Sequence, residues 1–308
     1  MKPNPSRNKK LHRSILRWYR KSARDFHWRS TTDPYAILVS EIMLQQTQAS
    51  RVKEKLPEFL KRFPRWDSLA RATKADVVKA WRGMGYNSRA VRLWETANIV
   101  MREHGGTLPS DIAMLRRLPG IGPYTSSAVA SFAFRQHVPV VDVNIRRVLT
   151  RLFHRTGSTN EKAIWELAKT ILPADSYAWN QALMDLGATI CKSRNPSCTE
   201  CPVMRLCPSR NTSKNRSAFI DRKKPNLHAE PAYDGIPRRV WRGKIIEALR
   251  DAPPNRWLHI LKLGKAIKKN FHNRETAWLA HLTSRLEKDR LVRRRVAGSA
   301  ISVKLALE

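Results

Sequence analysis

Apolar residues recur every three or four positions through roughly the first two thirds of the chain, the spacing that gathers them on one face of a helix. Leu11, Ile15, Trp18 and Tyr19 follow this rule, as do Ile37, Leu38, Ile42 and Leu44, and later Val78, Trp81, Val91, Leu93, Ile99 and Val100. Strict alternation is scarce from about residue 9 to 205, so this part is predicted to be all-α. From Pro208 to Gly235 the chain turns polar and basic, with Arg222-Lys223-Lys224-Pro225 in the middle, and reads as a linker or wrapped extension. A second unit starts near Ile236, with helices predicted over Val240–Leu249, Leu258–Lys268 and Trp278–Lys288. Leu291–Val296 and Ile301–Leu307 then read as two strands across Ala297-Gly298-Ser299, because Ile301, Val303, Leu305 and Leu307 alternate with smaller or polar residues. Three helices and a terminal hairpin make a winged-helix pattern, a small α+β unit with either DNA contact or simple capping as its role.

Composition adds a partner to this picture. The chain has 308 residues, 42% of them hydrophobic, enough to bury a core despite 27% charged residues. Lys and Arg number 59 against 25 Asp and Glu, a formal net charge of +34, and they are spread along the whole length. Such a bias points to a polyanion, since cationic side chains on phosphates release condensed counterions. Met1 to Arg13 is polar and basic with no apolar run behind it, unlike a secretory signal. No stretch approaches the roughly 18 apolar residues of a membrane span. The expectation is a cytoplasmic protein among nucleic acid, with no membrane partner.

All four cysteines fall in a 17-residue window, spaced Cys191-x6-Cys198-x2-Cys201-x5-Cys207. Four thiols this close suit a metal centre better than disulfides. A zinc ribbon would supply two C-x-x-C arms and only one is present, whereas Cys₄ ligation is usual for a [4Fe–4S] cluster. Spacing alone leaves iron–sulfur ahead of zinc.

Leu118-Pro119-Gly120-Ile121-Gly122-Pro123-Tyr124-Thr125 opens an apolar helix. Glycines let the backbone turn tightly, Pro123 suits a first helical position, and free N–H groups at a helix start attract an anion. Val138-Pro-Val-Val-Asp142-Val-Asn144 leads into another helix, where Asp142 would serve as an ordinary N-cap. Ser40-Glu41-Ile-Met-Leu44-Gln45-Gln46-Thr47-Gln48 places Glu41 on an apolar helical stripe, where spacing alone suggests a solvated helix acid.

Together these segments resemble the helix-hairpin-helix (HhH-GPD, Gly/Pro-Asp) DNA glycosylase superfamily, nearest its MutY, or adenine DNA glycosylase, branch. The 6-2-5 cysteine spacing is similar to the cluster loop of the endonuclease III and MutY families. L-P-G-I-G before a helix resembles the hairpin that grips one DNA phosphate, which brings in Gly120, Gly122 and Thr125. S-E-I-M-L-Q-Q-T-Q resembles the MutY catalytic segment nearly letter for letter. The resemblance implies that Glu41 protonates the base and that Asp142, the aspartate that names the superfamily, stabilises the sugar, with Tyr124 and Asn144 beside them in the catalytic set. It implies that Gln46, flanked by Gln45 and Thr47, probes the opposite base or fills the gap left by an extruded one. Arg24-Asp-Phe-His27-Trp28-Arg29 resembles R-D-L-P-W-R at the adenine pocket, with His27 in place of proline; Arg24, Trp28, Leu44 and Gln181 then line the base. Gly83-Met-Gly-Tyr86-Asn87-Ser-Arg-Ala resembles G-L-G-Y-Y-S-R-A, whose first tyrosine wedges into DNA, so Tyr86 keeps that role while Asn87 departs from the pattern. A [4Fe–4S] cluster on the four cysteines is implied, organising a loop whose Lys192, Arg194 and Arg205 meet phosphates.

The resemblance further implies a mainly α, bilobal glycosylase domain over residues 1–207. Its helical barrel with the hairpin would span about 30–135, and a cluster-bearing lobe about 8–29 and 136–207, with the base pocket between them. The linker is 208–235 and the winged-helix-like unit 236–308, which lacks the length and pattern of the Nudix-like domain that ends MutY proteins. Bifunctional relatives carry a lysine where Tyr124 stands, and a tyrosine cannot form their Schiff base. The expected enzyme is a monomeric, monofunctional hydrolase that removes adenine mispaired with guanine or 8-oxoguanine from double-stranded DNA. Thymine or uracil opposite guanine is the alternative, since some thymine-mismatch enzymes of the superfamily also lack that domain; a silent DNA-binding regulator would need neither carboxylate.

Overall fold

Helix α2 (Pro34–Leu44) shows most directly how sequence becomes structure in this protein. In a computed structural model of the chain, which describes residues 4–153, 160–210, 230–253, 256–298 and 300–306, every residue from Tyr35 to Met43 is buried. A helix that is apolar nearly all round has no solvent face, so it sits inside a core. The other regular elements of the described residues up to 210 are helical too, as predicted: α1 (Pro5–Ser22), α3 (Ala49–Arg62), α4 (Trp66–Arg71), α5 (Lys74–Ala80), α6 (Ser88–Glu103), α7 (Ile112–Leu115), α8 (Pro123–Phe132), α9 (Val143–Phe153), α10 (Glu161–Thr170) and α11 (Ser176–Thr189).

The chain divides into two compact units. The first draws on residues 1–38, 110–116 and 121–227, the second on 39–109, 117–120 and 228–308. In the first, α11 is the centre: α1, α8 and α9 all pack on it, and its residues Trp179 to Gly187 are buried. In the second, α4 and α5 pack on α6, with Trp81, Leu69 and Leu93 fully enclosed.

The second unit also holds α12 (Arg238–Arg250), α13 (Ile260–Ile267) and α14 (Thr276–Lys288). Their sheet runs in the order β3 (Leu258–His259), β5 (Ala300–Leu305), β4 (Val292–Ala297), all antiparallel. This is the predicted pattern of three helices and a terminal hairpin, with one correction. Leu258 and His259 belong to a strand rather than to the following helix, because they pair with Val303 and Ser302 and so close the sheet. Within the segment read as linker, residues 211–229 lie outside the described ones. Pairing has already begun at β1 (Ala232–Tyr233) and β2 (Ile236–Pro237), joined by Asp234 and Gly235. Both turn residues have positive φ (50° and 68°), the geometry a two-residue Asp-Gly hairpin favours. No helix of the described residues is long and apolar enough to cross a membrane.

Candidate active site

Glu41 projects from the buried helix α2 and is 3% exposed, so it is not a solvated helix acid. Its burial follows from the all-round apolar character of its helix, and it keeps bulk water from the carboxyl. The chain then leaves the helix through Gln45, Gln46 and Thr47. Gln45 Nε2 donates to the Gly120 carbonyl at 3.2 Å, tying this exit to the hairpin. Gln46 is exposed and held at φ 59°, a left-handed conformation that costs a side-chain-bearing residue on the order of 1–3 kcal/mol.

Arg89 supports that conformation. It is 5% exposed and donates to the carbonyls of Ile42 (3.0 Å), Met43 (2.8 Å), Met84 (2.9 Å) and Gly85 (3.2 Å), and to Thr47 Oγ1 (3.0 Å). One guanidinium thus satisfies the last carbonyls of α2 and fixes the 84–85 segment beside it. Burial pushes Arg89 down to about 10, against the pull of Tyr86, so it stays charged at neutral pH. Tyr86, at φ 43° and 48% exposed, is the exposed aromatic among the large apolar side chains of the described residues.

In the hairpin, Gly120 has φ 80° and an added Cβ would meet Arg92 Cδ at 3.0 Å, so glycine is required there. Gly122 is extended and precedes α8, with Pro123 at its first turn. Tyr124 is half-buried, and Thr125 is buried, which keeps its hydroxyl off the surface.

Asp142 stands just ahead of α9, as predicted. Its Oδ1 accepts from the Ile145 N–H at 2.6 Å, and its Oδ2 from Asn144 Nδ2 at 2.7 Å. Asn144 Oδ1 in turn accepts from Arg147 Nη2 at 2.8 Å, and Arg147 donates to the carbonyls of Gly187 (2.6 Å) and Cys191 (2.7 Å). Burial raises the Asp142 pKa above the ordinary aspartate range, opposed by the bonds from Ile145 and Asn144 and by the charge of Arg147. The carboxylate is therefore held in one orientation but kept poorly solvated, a state in which nearby developing positive charge is strongly favoured.

Gly187 makes this arrangement possible. A Cβ there would lie 2.6 Å from Asn144 Cβ and 3.1 Å from Asn144 Cα, so only glycine lets α9 start this close to α11. Gly187→Ala should cost roughly 1–3 kcal/mol of stability by overpacking. It should also lower catalytic turnover about tenfold or more, because displacing Asn144 misaims Asp142. Thermal unfolding and single-turnover assays on the same preparation check both; unchanged turnover would detach Asn144 from the site.

The first unit holds three of the remaining predicted base contacts, Trp28, Gln181 and Arg24. Trp28 is buried and stacked on Phe26 at 4.5 Å, Gln181 is 4% exposed, and in the second unit Leu44 is half-buried. Arg24 is held by an ion pair: its Nε binds Asp185 Oδ1 at 2.6 Å, and Arg29 binds the same carboxylate through both terminal nitrogens at 2.8 Å. Burial alone would raise Asp185, but Arg29 and Arg24 hold it below the usual carboxylate range. Arg29, Arg89 and Asp185 fall inside segments that carry the resemblance but received no role of their own from the sequence, and Arg147 was missed. Among 59 Lys and Arg residues no single arginine stands out by pattern.

The four cysteines are partly exposed and unbridged. Among the described residues no three His, Cys, Asp or Glu side chains stand in a ready-made metal-binding arrangement. The thiols nevertheless feel one another. Burial pushes Cys201 up to about 12, opposed by the Val203 N–H and reinforced by Cys191, Cys207 and Cys198. Arg151 Nη1 lies 3.2 Å from Cys191 Sγ and also donates to the Lys192 carbonyl at 2.7 Å. Four thiols gathered beside a buried arginine are a soft donor set that a cationic metal centre would deprotonate and bind.

The model of the HhH-GPD superfamily base excision DNA repair proteins matches residues 39–173, a span that includes Glu41, the hairpin and Asp142. An adenine DNA glycosylase of Mycobacterium tuberculosis is 40% identical over 259 residues, 81% of this chain and 83% of that protein. The chain belongs to the HhH-GPD superfamily. A thymine/uracil-DNA glycosylase of Methanothermobacter thermautotrophicus is 37% identical to this HhH-GPD protein over 199 residues, 63% of this chain and 90% of that one. The solved structure of a thermostable thymine-DNA glycosylase superposes with a TM-score of 0.63 at 35% identity, covering 66% of this chain and 96% of that one.

Proposed function

We propose that this HhH-GPD protein is a monofunctional DNA glycosylase that hydrolyses the N-glycosidic bond of adenine mispaired with guanine or 8-oxoguanine. The observation that carries the reading is 40% identity across 83% of an adenine DNA glycosylase. The charge of +34 supports double-stranded DNA as the partner and a place at the nucleoid.

Breaking the bond passes through a sugar with oxocarbenium character. Adenine leaves readily only when protonated, and Glu41 is assigned as the acid that supplies the proton. Asp142 is assigned to stabilise the positive sugar and to orient water, with Asn144 holding its carboxylate and Tyr124 beside it. The base must first leave the stack. Exposed Gln46 and Tyr86, both held in left-handed backbone, suit filling the gap and wedging the duplex open. Gln45 and Thr47 support Gln46, while the hairpin at Gly120 and Gly122 holds a phosphate. Arg24, Trp28, Leu44 and Gln181 are assigned to the base pocket. Without a lysine at Tyr124, the product is an intact strand with an abasic site.

Cys191, Cys198, Cys201 and Cys207 are assigned to a [4Fe–4S] cluster. When bound it supplies a structural tie for the cysteine loop, not a redox step on the base. Purified protein should be brown and yield iron and acid-labile sulfide in equal amounts; a colourless protein with stoichiometric zinc would reject the assignment.

The reading is tested with duplexes carrying A opposite 8-oxoguanine, A·G, T·G or U·G, each incubated with protein and then split by alkali. Adenine-containing strands should break after alkali and stay intact without it. The thymine/uracil relative favours a second reading, in which T·G and U·G are the substrates. Excision of thymine or uracil alone would establish that reading in place of the first.

A further inference from the structure

The segment from Gly83 to Asn87 is gripped from two sides. On one side Arg89 draws in the carbonyls of Met84 and Gly85, and its guanidinium lies 5.6 Å from the centre of the Tyr86 ring. On the other side comes Arg250, the last residue of α12, which is 6% exposed. Its Nε and Nη2 donate to the Val78 carbonyl at 3.0 and 2.7 Å, and its Nη2 to Asn87 Oδ1 at 2.9 Å.

Both partners stand at helix ends. Val78 lies in the last turn of α5, where carbonyls lack helical donors, so a cation there both satisfies the group and opposes the helix dipole. Asn87 is the N-cap of α6, yet its side chain caps no N–H of that helix. It is turned to Arg250 instead, which gives a physical reason for asparagine at this position. Around the contact, Arg82 pairs with Asp251 and with Glu247 (3.3 Å), and Arg290 pairs with Glu95 of α6 at 3.1 Å. These exposed pairs contribute little energy, but they bring the same two pieces together.

We propose that Arg250 is a positioning residue for base extrusion: the C-terminal unit braces the 83–87 segment so that Tyr86 stays extended from the surface in its left-handed conformation. A left-handed backbone at a tyrosine is uncommon and strained, so it persists where the surrounding contacts hold it. A ring already held before the DNA arrives spares the ordering cost when a base stacks on it. The inference rests on the glycosylase reading, because it assigns Tyr86 a step before bond cleavage.

The test uses the full chain with Arg250→Met, Arg250→Lys and Asn87→Ala. Two rates are measured on A opposite 8-oxoguanine: single-turnover excision, and extrusion followed by 2-aminopurine placed at the target position in a Glu41→Gln background. Arg250→Met should slow both about tenfold, as expected for the loss of a coupled contact, with duplex affinity nearly unchanged. Asn87→Ala should give part of the same loss although the grip on Val78 survives, and Arg250→Lys should partly restore the parent rate. On DNA whose target adenine faces an abasic gap, where unstacking costs less, the variants should approach the parent. A variant that melts earlier but extrudes at the parent rate well below its Tm would overturn the proposal, as would equal slowing on the gapped DNA. A parent that excises from none of the duplexes fails the glycosylase reading itself and the inference with it.

Discussion

Glu41→Gln should slow excision by roughly two to four orders of magnitude while leaving duplex binding close to the parent value. Glutamine keeps the volume and the polar end of glutamate, so the packing of α2 around position 41 survives. What it loses is a transferable proton. Positioned general acids contribute about a hundred- to ten-thousandfold to rate, and adenine is a poor leaving group without one, so the loss should fall in that range. Single-turnover excision and fluorescence anisotropy on the same duplex separate the two effects. Excision within a few-fold of the parent would mean that another group protonates the base.

Asp142→Asn should be as damaging, for a different reason. The amide can still accept from the Ile145 N–H and so cap α9, but it carries no charge to set against the positive sugar. It also presents a donor where Asp142 Oδ2 accepts from Asn144 Nδ2. Asn144 cannot simply reverse, because its own oxygen is taken by Arg147. A loss of about a thousandfold or more in kcat is expected, with duplex binding retained, since buried electrostatic stabilisation is usually the largest single contribution.

The parent's pH profile follows from the same geometry. Burial raises the Asp142 pKa, and the proposed role requires the ionised form, so activity should fall as pH drops through a value above the ordinary aspartate range. For stability the sign is reversed: a carboxyl with a raised folded-state pKa destabilises the fold while ionised, and that cost is relieved as pH falls through the same value. An acid limb at the usual aspartate pKa would count against Asp142 as the group observed.

The helical first part was legible from three- and four-residue spacing, and the C-terminal helices and hairpin from the switch to alternation. Errors were local. The short β3 at Leu258 was absorbed into a helix, because two residues carry no period and only pairing with β5 defines them. The Asp234-Gly235 turn was passed over although its dipeptide is a hairpin signal. Glu41 read as a surface acid when judged by a stripe of four apolar residues. The run Tyr35-Ala-Ile-Leu-Val before it already marks a helix apolar on every side.

The carboxylates Glu41 and Asp142, which carry the proposed chemistry, were determined by the sequence itself. So were the glycines of the hairpin, the cysteine spacing and the tyrosine at position 124, on which the proposal of a monofunctional enzyme rests. These features are local: residue identity and spacing specify them before the chain folds. Tertiary structure decided how each group is held. Arg89 joins the end of α2 to the 84–85 segment, Asn144 and Arg147 aim Asp142, Gly187 lets α9 approach α11, and Arg250 reaches the 83–87 segment from far along the chain. Such contacts leave no periodic trace, because an arginine satisfying distant carbonyls looks in sequence like any other arginine. Only folding brings its partners within hydrogen-bond reach and removes the water that would otherwise compete.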